Sequence, residues 1–298
     1  MLDRPHTRDP RVSSLYARNV ARTGPRDIVV AGYGGAGQSI VANTLLELDL
    51  NYVDPYTEIV HEDGSSTPVP EHAGFRGRMA AVSQRDGRNS CASASCWPRF
   101  FKSHLPPEIF TGRPLAGVWL IVRDPRDALY SWYRWRVAFG EEPWDRVDAD
   151  WAEWLAAPDY AGRRPVEDWT YFYATWLDWA AVHPRWACTR FEDIKANPVL
   201  TFKAALRALG IPVDEARLAE AVEASSFEAM RSHEDQAAGQ EPHSEQSRMM
   251  RRGKVNEWLE WMTPQLAAHF TAPDLVKVAH RLGYRLASSP ANDPLSTM

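Results

Sequence analysis

Cysteine is scarce in this chain, with only Cys91, Cys96 and Cys188 among 298 residues. Thiols so few and so scattered do not build a disulfide framework. The stretch from Cys96 to Cys188 holds no tight Cys/His cluster, so no metal site is expected. Long apolar runs are missing as well. Nothing approaches the roughly eighteen consecutive apolar residues of a membrane-spanning helix. An excess of positive charge is absent too: 34 Lys and Arg stand against 39 Asp and Glu, a net charge of −5. No global basic field therefore points to nucleic acid as a partner. The opening residues, MLDRPHTRDPRVSS, carry charge with no apolar stretch behind them. A secretory signal is not expected, and a cytoplasmic location is. At 44% hydrophobic and 24% charged, the composition has enough apolar matter for a sizeable core, which excludes collagen and wholesale disorder.

Tryptophan is plentiful, and its placement is informative. Nine of the thirteen lie between Trp132 and Trp186. The pairs Trp132/Trp135, Trp151/Trp154 and Trp176/Trp179 are spaced i, i+3, which puts each pair on one helical face. Core packing between helices accounts for such pairs, and so does an aromatic wall around an acceptor pocket. Some of these rings could serve both.

Along the chain, residues 1–26 read as a flexible, Arg-rich N-terminal arm. The run Asp27-Ile-Val-Val-Ala-Gly reads as a buried strand. A glycine-rich turn from Tyr33 to Gly37 follows, then a helix from Ser39. Residues 61–96, rich in Gly, Ser, Pro and charge, read as a mobile insertion of the kind that forms lids. Strands are expected at Arg99–Ser103, at 117–122 and at Trp186–Arg190. Helices are expected at Pro125 to about Phe139, near 149–157, 166–182, 198–209 and 214–224. Residues 232–247 are polar and read as a flexible loop, and 255–284 as helical. Strands alternating with helices behind a strand–turn–helix opening predict an α/β fold with a parallel sheet. No linker separates two patterns, so residues 27–298 are expected to form one domain.

Four motifs carry chemistry. Gly34, Gly35, Ala36, Gly37, Gln38 and Ser39 follow a strand and open a helix. Backbone amides in such a turn form an anion cradle, and glycine lets a phosphate approach without a Cβ in the way. Arg123 stands at a strand's carboxyl end, where open α/β sheets bind ligands. Ser131 lies about two helical turns further on. Between them, Asp124-Pro125 is a standard pair for starting a helix. Arg248-Met-Met-Arg251-Arg252-Gly253-Lys254 has the look of a second phosphate clamp. Lys102 and His104 occupy alternate positions at a strand end, hence one face, which makes His104 a general-base candidate.

In this order and spacing the four motifs resemble the sulfotransferases that use 3′-phosphoadenosine-5′-phosphosulfate (PAPS), of the cytosolic and bacterial small-molecule type. The resemblance spans about residues 27–284. It implies a P-loop-like three-layer fold, with a central parallel sheet flanked by helices. It also implies PAPS as donor, 3′,5′-bisphosphoadenosine (PAP) as product, and no metal. In that family a strand–loop–helix cradles the 5′-phosphosulfate, matching residues 33–39. An arginine and a serine eight positions on hold the 3′-phosphate, matching Arg123 and Ser131. The segment R-K-G-x-x-G-D-W also reaches that phosphate and is similar to Arg251–Trp258. K-T-H-L-P, whose histidine is the base, is similar to Lys102–Pro106. Y-E-D-x-K-x-N-P is similar to Phe191–Pro198, and the T-S-F near the adenine to Ser225-Ser-Phe227. The implied reaction moves a sulfuryl group to a hydroxyl or amine of a small-molecule acceptor, bacterial natural products among the candidates. Neither nucleic acid nor a membrane is an expected partner.

Three departures from the family pattern, two in the loop Y-P-K-S-G-T-T-W and one outside it, touch the donor site. The lysine that contacts the transferring group is Gly35, the adenine-stacking tryptophan is Ile40, and the adenine-facing tyrosine is Phe191. Lys102 is the cation expected to cover for the missing lysine. Two other readings remain open here. A P-loop kinase or NTPase would need a lysine where Gln38 stands. A PAPS-binding protein with weakened catalysis would follow from Gly35.

Overall fold

The computed structural model describes residues 10–69, 97–139, 151–158, 162–238 and 248–286. In chain order the strands are β1 (Asp27–Gly32), β2 (Asn51–Val53), β3 (Glu58–Val60), β4 (Ser66–Pro68), β5 (Arg99–Ser103), β6 (Gly117–Val122) and β7 (Trp186–Arg190). All six residues of β1 and of β6 are buried, which is why both read as unbroken apolar runs. Five strands form one parallel sheet in the order β2-β5-β1-β6-β7. Side chains leave it alternately: Val29 and Ala31 enter one core, Ile28 and Val30 the other.

The helices are α1 (Pro10–Val20), α2 (Gln38–Glu47), α3 (Pro125–Phe139), α4 (Trp151–Ala156), α5 (Pro165–Ala180), α6 (Phe191–Ala196), α7 (Pro198–Ala208), α8 (Glu215–Ala224), α9 (Phe227–Ala238), α10 (Pro264–Ala267) and α11 (Pro273–Arg281). Helices α1, α3, α5 and α11 supply Tyr16, Leu129, Trp169, Trp176 and Val278 to the first core. Helices α2, α7 and α8 supply Leu45, Phe202 and Leu218 to the second. The result is three layers, with a central parallel sheet between two sets of helices.

Four sequence expectations change. The N-terminal arm is not loose where it is described, since Pro10–Val20 is helical and Tyr16 and Asn19 are fully buried. Leu15, Tyr16, Asn19 and Val20 fall on one helical face, and Asn19 Nδ2 donates to the carbonyls of Pro55 and Glu58. The insertion expected at 61–96 begins as structure: β4 pairs antiparallel with β3 to close a hairpin, and residues 70–96 lie outside the described residues. The loop expected at 232–247 is helix as far as Ala238, with 239–247 outside the described residues. Glu234 explains that helix. It is buried and accepts hydrogen bonds from the Met249 and Met250 amides at 2.6 and 3.0 Å. The expected C-terminal helix is instead α10 and α11 with short 3₁₀ turns at Glu257–Glu260 and Ala268–Phe270.

Candidate active site

Each strand of the parallel sheet hands over to a distinctive residue one position past its carboxyl end. These are Tyr33 after β1, Asp54 after β2, His104 after β5, Arg123 after β6 and Phe191 after β7. Parallel pairing brings the five ends to one edge of the sheet, the edge where open α/β folds bind ligands.

The turn after β1 is bounded on every side. Tyr33 N donates to Tyr173 Oη at 3.1 Å, and Tyr173 Oη donates to the Ile121 carbonyl at 2.7 Å, so α5 fixes where the turn starts. Gly35 and Gly37 adopt positive φ, 81° and 94°. A Cβ at Gly35 would fall on the Ala128 carbonyl oxygen, and one at Gly34 on the Trp132 indole. Glycine is required at 35 on both counts. Trp132 thus occupies the space that a side chain at position 34 would need.

Two of the expected anion-cradle groups are spent elsewhere. The Ala36 amide donates to the Tyr33 carbonyl at 3.0 Å. The Gln38 side chain turns into the sheet, where Nε2 donates to the Val30 and Ser103 carbonyls at 3.0 and 3.2 Å. Only the backbone of Gln38 can serve an anion. The amides open to an anion at the start of α2 are those of Gly37, Gln38 and Ser39, where helical geometry gives amides no acceptor of their own.

Arg123, Phe191, Ser225, Phe227 and Gly253 gather on the other side of the turn. The Arg123 guanidinium lies 4.5 Å over the Phe191 ring and donates to the carbonyls of Gly35 (3.2 Å) and Lys254 (2.8 Å). A Cβ on Gly37 would come within 2.5 Å of the Phe191 ring, and one on Gly253, at φ 58°, within 2.5 Å of Phe227. Both glycines let backbone pass close to an aromatic wall. Arg123 Nε and Ser225 Oγ are buried with no hydrogen-bond partner. Unpaired buried donors are costly, and a polar ligand that reached either would remove that cost. Ser131 stands half-buried on α3, two turns after Arg123.

Helix α3 also holds the basic segment in place. Asp124 accepts from the Arg126 amide at 2.9 Å as the helix cap. Asp127 Oδ1 accepts from Trp258 N at 2.8 Å, and the Arg126 guanidinium lies 3.6 Å over the Trp258 ring. Burial raises Asp127 to about 6, against the opposing pull of Arg123. The arginines of the segment are already paired: Arg251 and Arg252 with Glu257 at 2.6 and 3.2 Å, and Arg252 and Lys254 with Glu260 at 2.7 and 2.6 Å.

The His104 pocket is aromatic with one ion pair. Nδ1 sits 2.7 Å from the Gly32 carbonyl oxygen. A carbonyl only accepts, so Nδ1 carries the proton and Nε2 keeps its lone pair. Burial first, and then the Lys102 charge, push His104 down to about 4, which leaves it neutral at pH 7. Its backbone amide donates to Tyr56 Oη at 3.0 Å. Its ring lies between Tyr56 (5.8 Å) and Trp132 (6.4 Å), and Trp132 stacks on Trp135 at 5.0 Å. Lys102 Nζ meets Asp54 Oδ2 at 2.7 Å and lies 5.7 Å from the Tyr56 ring.

Sequence reasoning reached the glycine turn, Arg123, Lys102 and His104 but passed over Asp54 and Tyr56, which sit in no motif. The dipeptide Asp54-Pro55 followed by Tyr56 was the available signal, a turn with a charge immediately after a short apolar strand. Among the tryptophans, Trp169 and Trp176 are fully buried core, whereas Trp132 and Trp135 line the site. No group of His, Cys, Asp and Glu suited to a metal ion occurs among the described residues, and no helix among them is long and apolar enough to cross a membrane.

A family profile described as a sulfotransferase domain matches residues 25–273. Mouse sulfotransferase 1B1 is 26% identical over 257 residues, which cover 83% of this chain and 81% of that protein. The fold matches mouse sulfotransferase SULT7A1 complexed with PAP at a TM-score of 0.60 and 17% identity, covering 91% of this chain and 94% of the other. It also matches retinol dehydratase in a complex with retinol and PAP at 0.53 and 16%, covering 92% and 84%.

Proposed function

The chain belongs to the sulfotransferase domain family, and from that premise we propose that it transfers a sulfuryl group from PAPS to a hydroxyl or amine of a small-molecule acceptor. One observation carries the assignment of the centre. His104, fixed by Gly32 as the Nδ1–H tautomer, keeps an unprotonated Nε2 beside Lys102 at the mouth of the glycine turn. The fold neighbours solved with PAP support the choice of donor. So do the unpartnered Arg123 Nε and Ser225 Oγ, two buried donors suited to an adenosine phosphate.

The donor supplies an electrophilic sulfuryl group, whose S–O bond to the 5′-phosphate breaks as the acceptor oxygen or nitrogen bonds to sulfur. His104 Nε2 takes the acceptor's proton. A polyanion nearby favours imidazolium, so the base strengthens when the site is loaded. The Gly37, Gln38 and Ser39 amides and Lys102 stabilise charge growing on the leaving phosphate. Arg123, Ser131, Arg251, Arg252 and the Gly253 backbone hold the 3′-phosphate, which converts remote binding into alignment of the reacting atoms. Phe191, Ser225 and Phe227 hold the adenine, two as ring faces and Ser225 as a hydrogen-bond donor. Trp132 and Trp135 face the acceptor. The neighbour bound to retinol supports an acceptor of small-molecule size.

The direct test is PAP release from PAPS with a panel of phenols, alcohols and amines, alongside calorimetry with PAP and ATP. Tight PAP, weak ATP and acceptor-dependent release are expected. Tight PAP binding with no turnover across the panel would leave a donor-binding protein without transfer. Tight ATP binding would favour the kinase reading.

Arg123→Ala is expected to weaken PAP binding by about 1.5–3 kcal/mol, the worth of a charge-assisted hydrogen bond. Adenosine 5′-phosphosulfate, which lacks the 3′-phosphate, should lose almost nothing. Equal losses for both nucleotides would move Arg123 away from the 3′-phosphate.

A pH profile tests the base. With its folded value lowered to about 4, His104 stays neutral as pH falls through the ordinary range near 6.5. Because kcat/KM reports the free enzyme, it should hold level from neutral pH down to about pH 5 and fall only below. An acid limb centred near 6.5 would mean a water-exposed imidazole.

A further inference from the structure

We infer that Asp54 is a positioning residue for Lys102: it aims the ammonium and sets how much positive charge the transferring group meets. This rests on the reading of Lys102 as the cation that faces the phosphosulfate. Asp54 is the residue just past β2, as His104 is just past β5, and the two strands pair directly through Asn51–Val53 and Arg99–Phe101. Both carboxylate oxygens are committed. Oδ2 meets Lys102 Nζ at 2.7 Å, with the side chains 12% and 8% exposed, and Oδ1 accepts from the Tyr56 amide at 3.1 Å. Tyr56 in turn accepts from the His104 amide through its hydroxyl. One carboxylate thus links the cation and the segment that bears the base.

The burial of this pair gives it leverage. Away from water a neighbouring carboxylate cancels much of an ammonium's field, and it also stops a long, flexible side chain from sampling other rotamers. Gly35 carries no side chain, so the loop offers no cation of its own at the family's lysine position. The charge on Lys102 therefore has more weight here than it would beside a loop lysine. Asp54 trades ground-state attraction for aim. It lowers the pull on any bound phosphate and keeps Nζ where charge develops during transfer.

The signature is a split that a merely structural residue does not produce. Asp54→Asn keeps an acceptor for the Tyr56 amide but removes the negative charge. PAP should then bind several-fold tighter, by up to about ten-fold at low salt, while kcat falls by about ten-fold or more. Asp54→Glu keeps the charge, so its PAP affinity should stay near wild type. In a Lys102→Met background the tightening caused by Asp54→Asn should vanish, because the charge it unmasks is gone.

Calorimetry with PAP on the four variants, with kcat measured beside it, tests the inference. Asn and Glu variants with equal affinity would overturn it, as would the same tightening with and without Lys102, or weaker binding together with a lower melting temperature. A Lys102→Met enzyme with normal kcat would instead overturn the role given to Lys102, and that result is distinguishable from the others.

Discussion

Replacing His104 by alanine is expected to lower kcat by about 10²–10⁴-fold, the usual cost of losing a general base, while PAP should bind as in wild type. The separation follows from geometry. The imidazole hydrogen bonds to Gly32 and packs against Tyr56 and Trp132, and neither Arg123 nor the basic segment proposed to hold nucleotide contacts it. Removing a half-buried ring packed against two aromatics leaves a cavity, so a melting curve belongs beside the kinetics. His104→Gln, which keeps most of the volume and can still donate to Gly32, guards against a folding defect and should be equally slow. Turnover within a few-fold of wild type for both variants would place the base elsewhere.

Lys102→Ala carries the second large effect, a fall of about 10²–10³-fold in kcat with a smaller change in donor KM. An ammonium that faces developing charge acts more in the transition state than in the ground state. The substitution also strands Asp54, 12% exposed, without its partner, and an unpaired carboxylate beside a leaving phosphate adds repulsion to the loss. Lysine placed at position 35 should not rescue this variant. Gly35 has a φ of 81°, and any Cβ there meets the Ala128 carbonyl at the start of α3. Gly35→Lys should disorder the turn and abolish PAP binding rather than restore rate. Partial rescue would show that the turn relaxes more than its packing allows. Near-normal kcat for Lys102→Ala would leave backbone amides alone to stabilise the leaving group.

How much of this was legible in the sequence varied with how local the cause was. β1 and β6 stood out because strands buried on both faces are unbroken apolar runs. The bounds of α3 were legible from Asp124-Pro125, whose cap is local. Helix α1 was not, because its composition is polar and only one face, with Leu15, Tyr16, Asn19 and Val20, is buried. The polar end of α9 hid for the same reason, its buried Glu234 serving backbone fifteen residues downstream. The role of Gln38 inverted once the neighbouring strand was in place, because its amide bridges β1 and β5 and no local pattern encodes that. Asp54 lies 48 residues from Lys102, and only strand pairing makes them neighbours. The segment reads as a phosphate clamp from its basic residues alone, and the pairing of Arg251 and Arg252 with Glu257 follows only from the turn that brings the glutamate back to them.

The placement of Asp54, His104, Arg123 and Phe191 one position past a strand has a bearing on how such an enzyme can diversify. β1, β5 and β6 are held by ladders on both sides and the edge strands β2 and β7 by a ladder on one, so the reacting geometry is set by the sheet and survives changes in the connections that leave it. Connections tolerate insertion and replacement far better than ladders do. Selection for a new acceptor can therefore rework the loops above the sheet edge without first solving the chemistry again, and a single scaffold can radiate into many acceptor preferences around one unchanged transfer step.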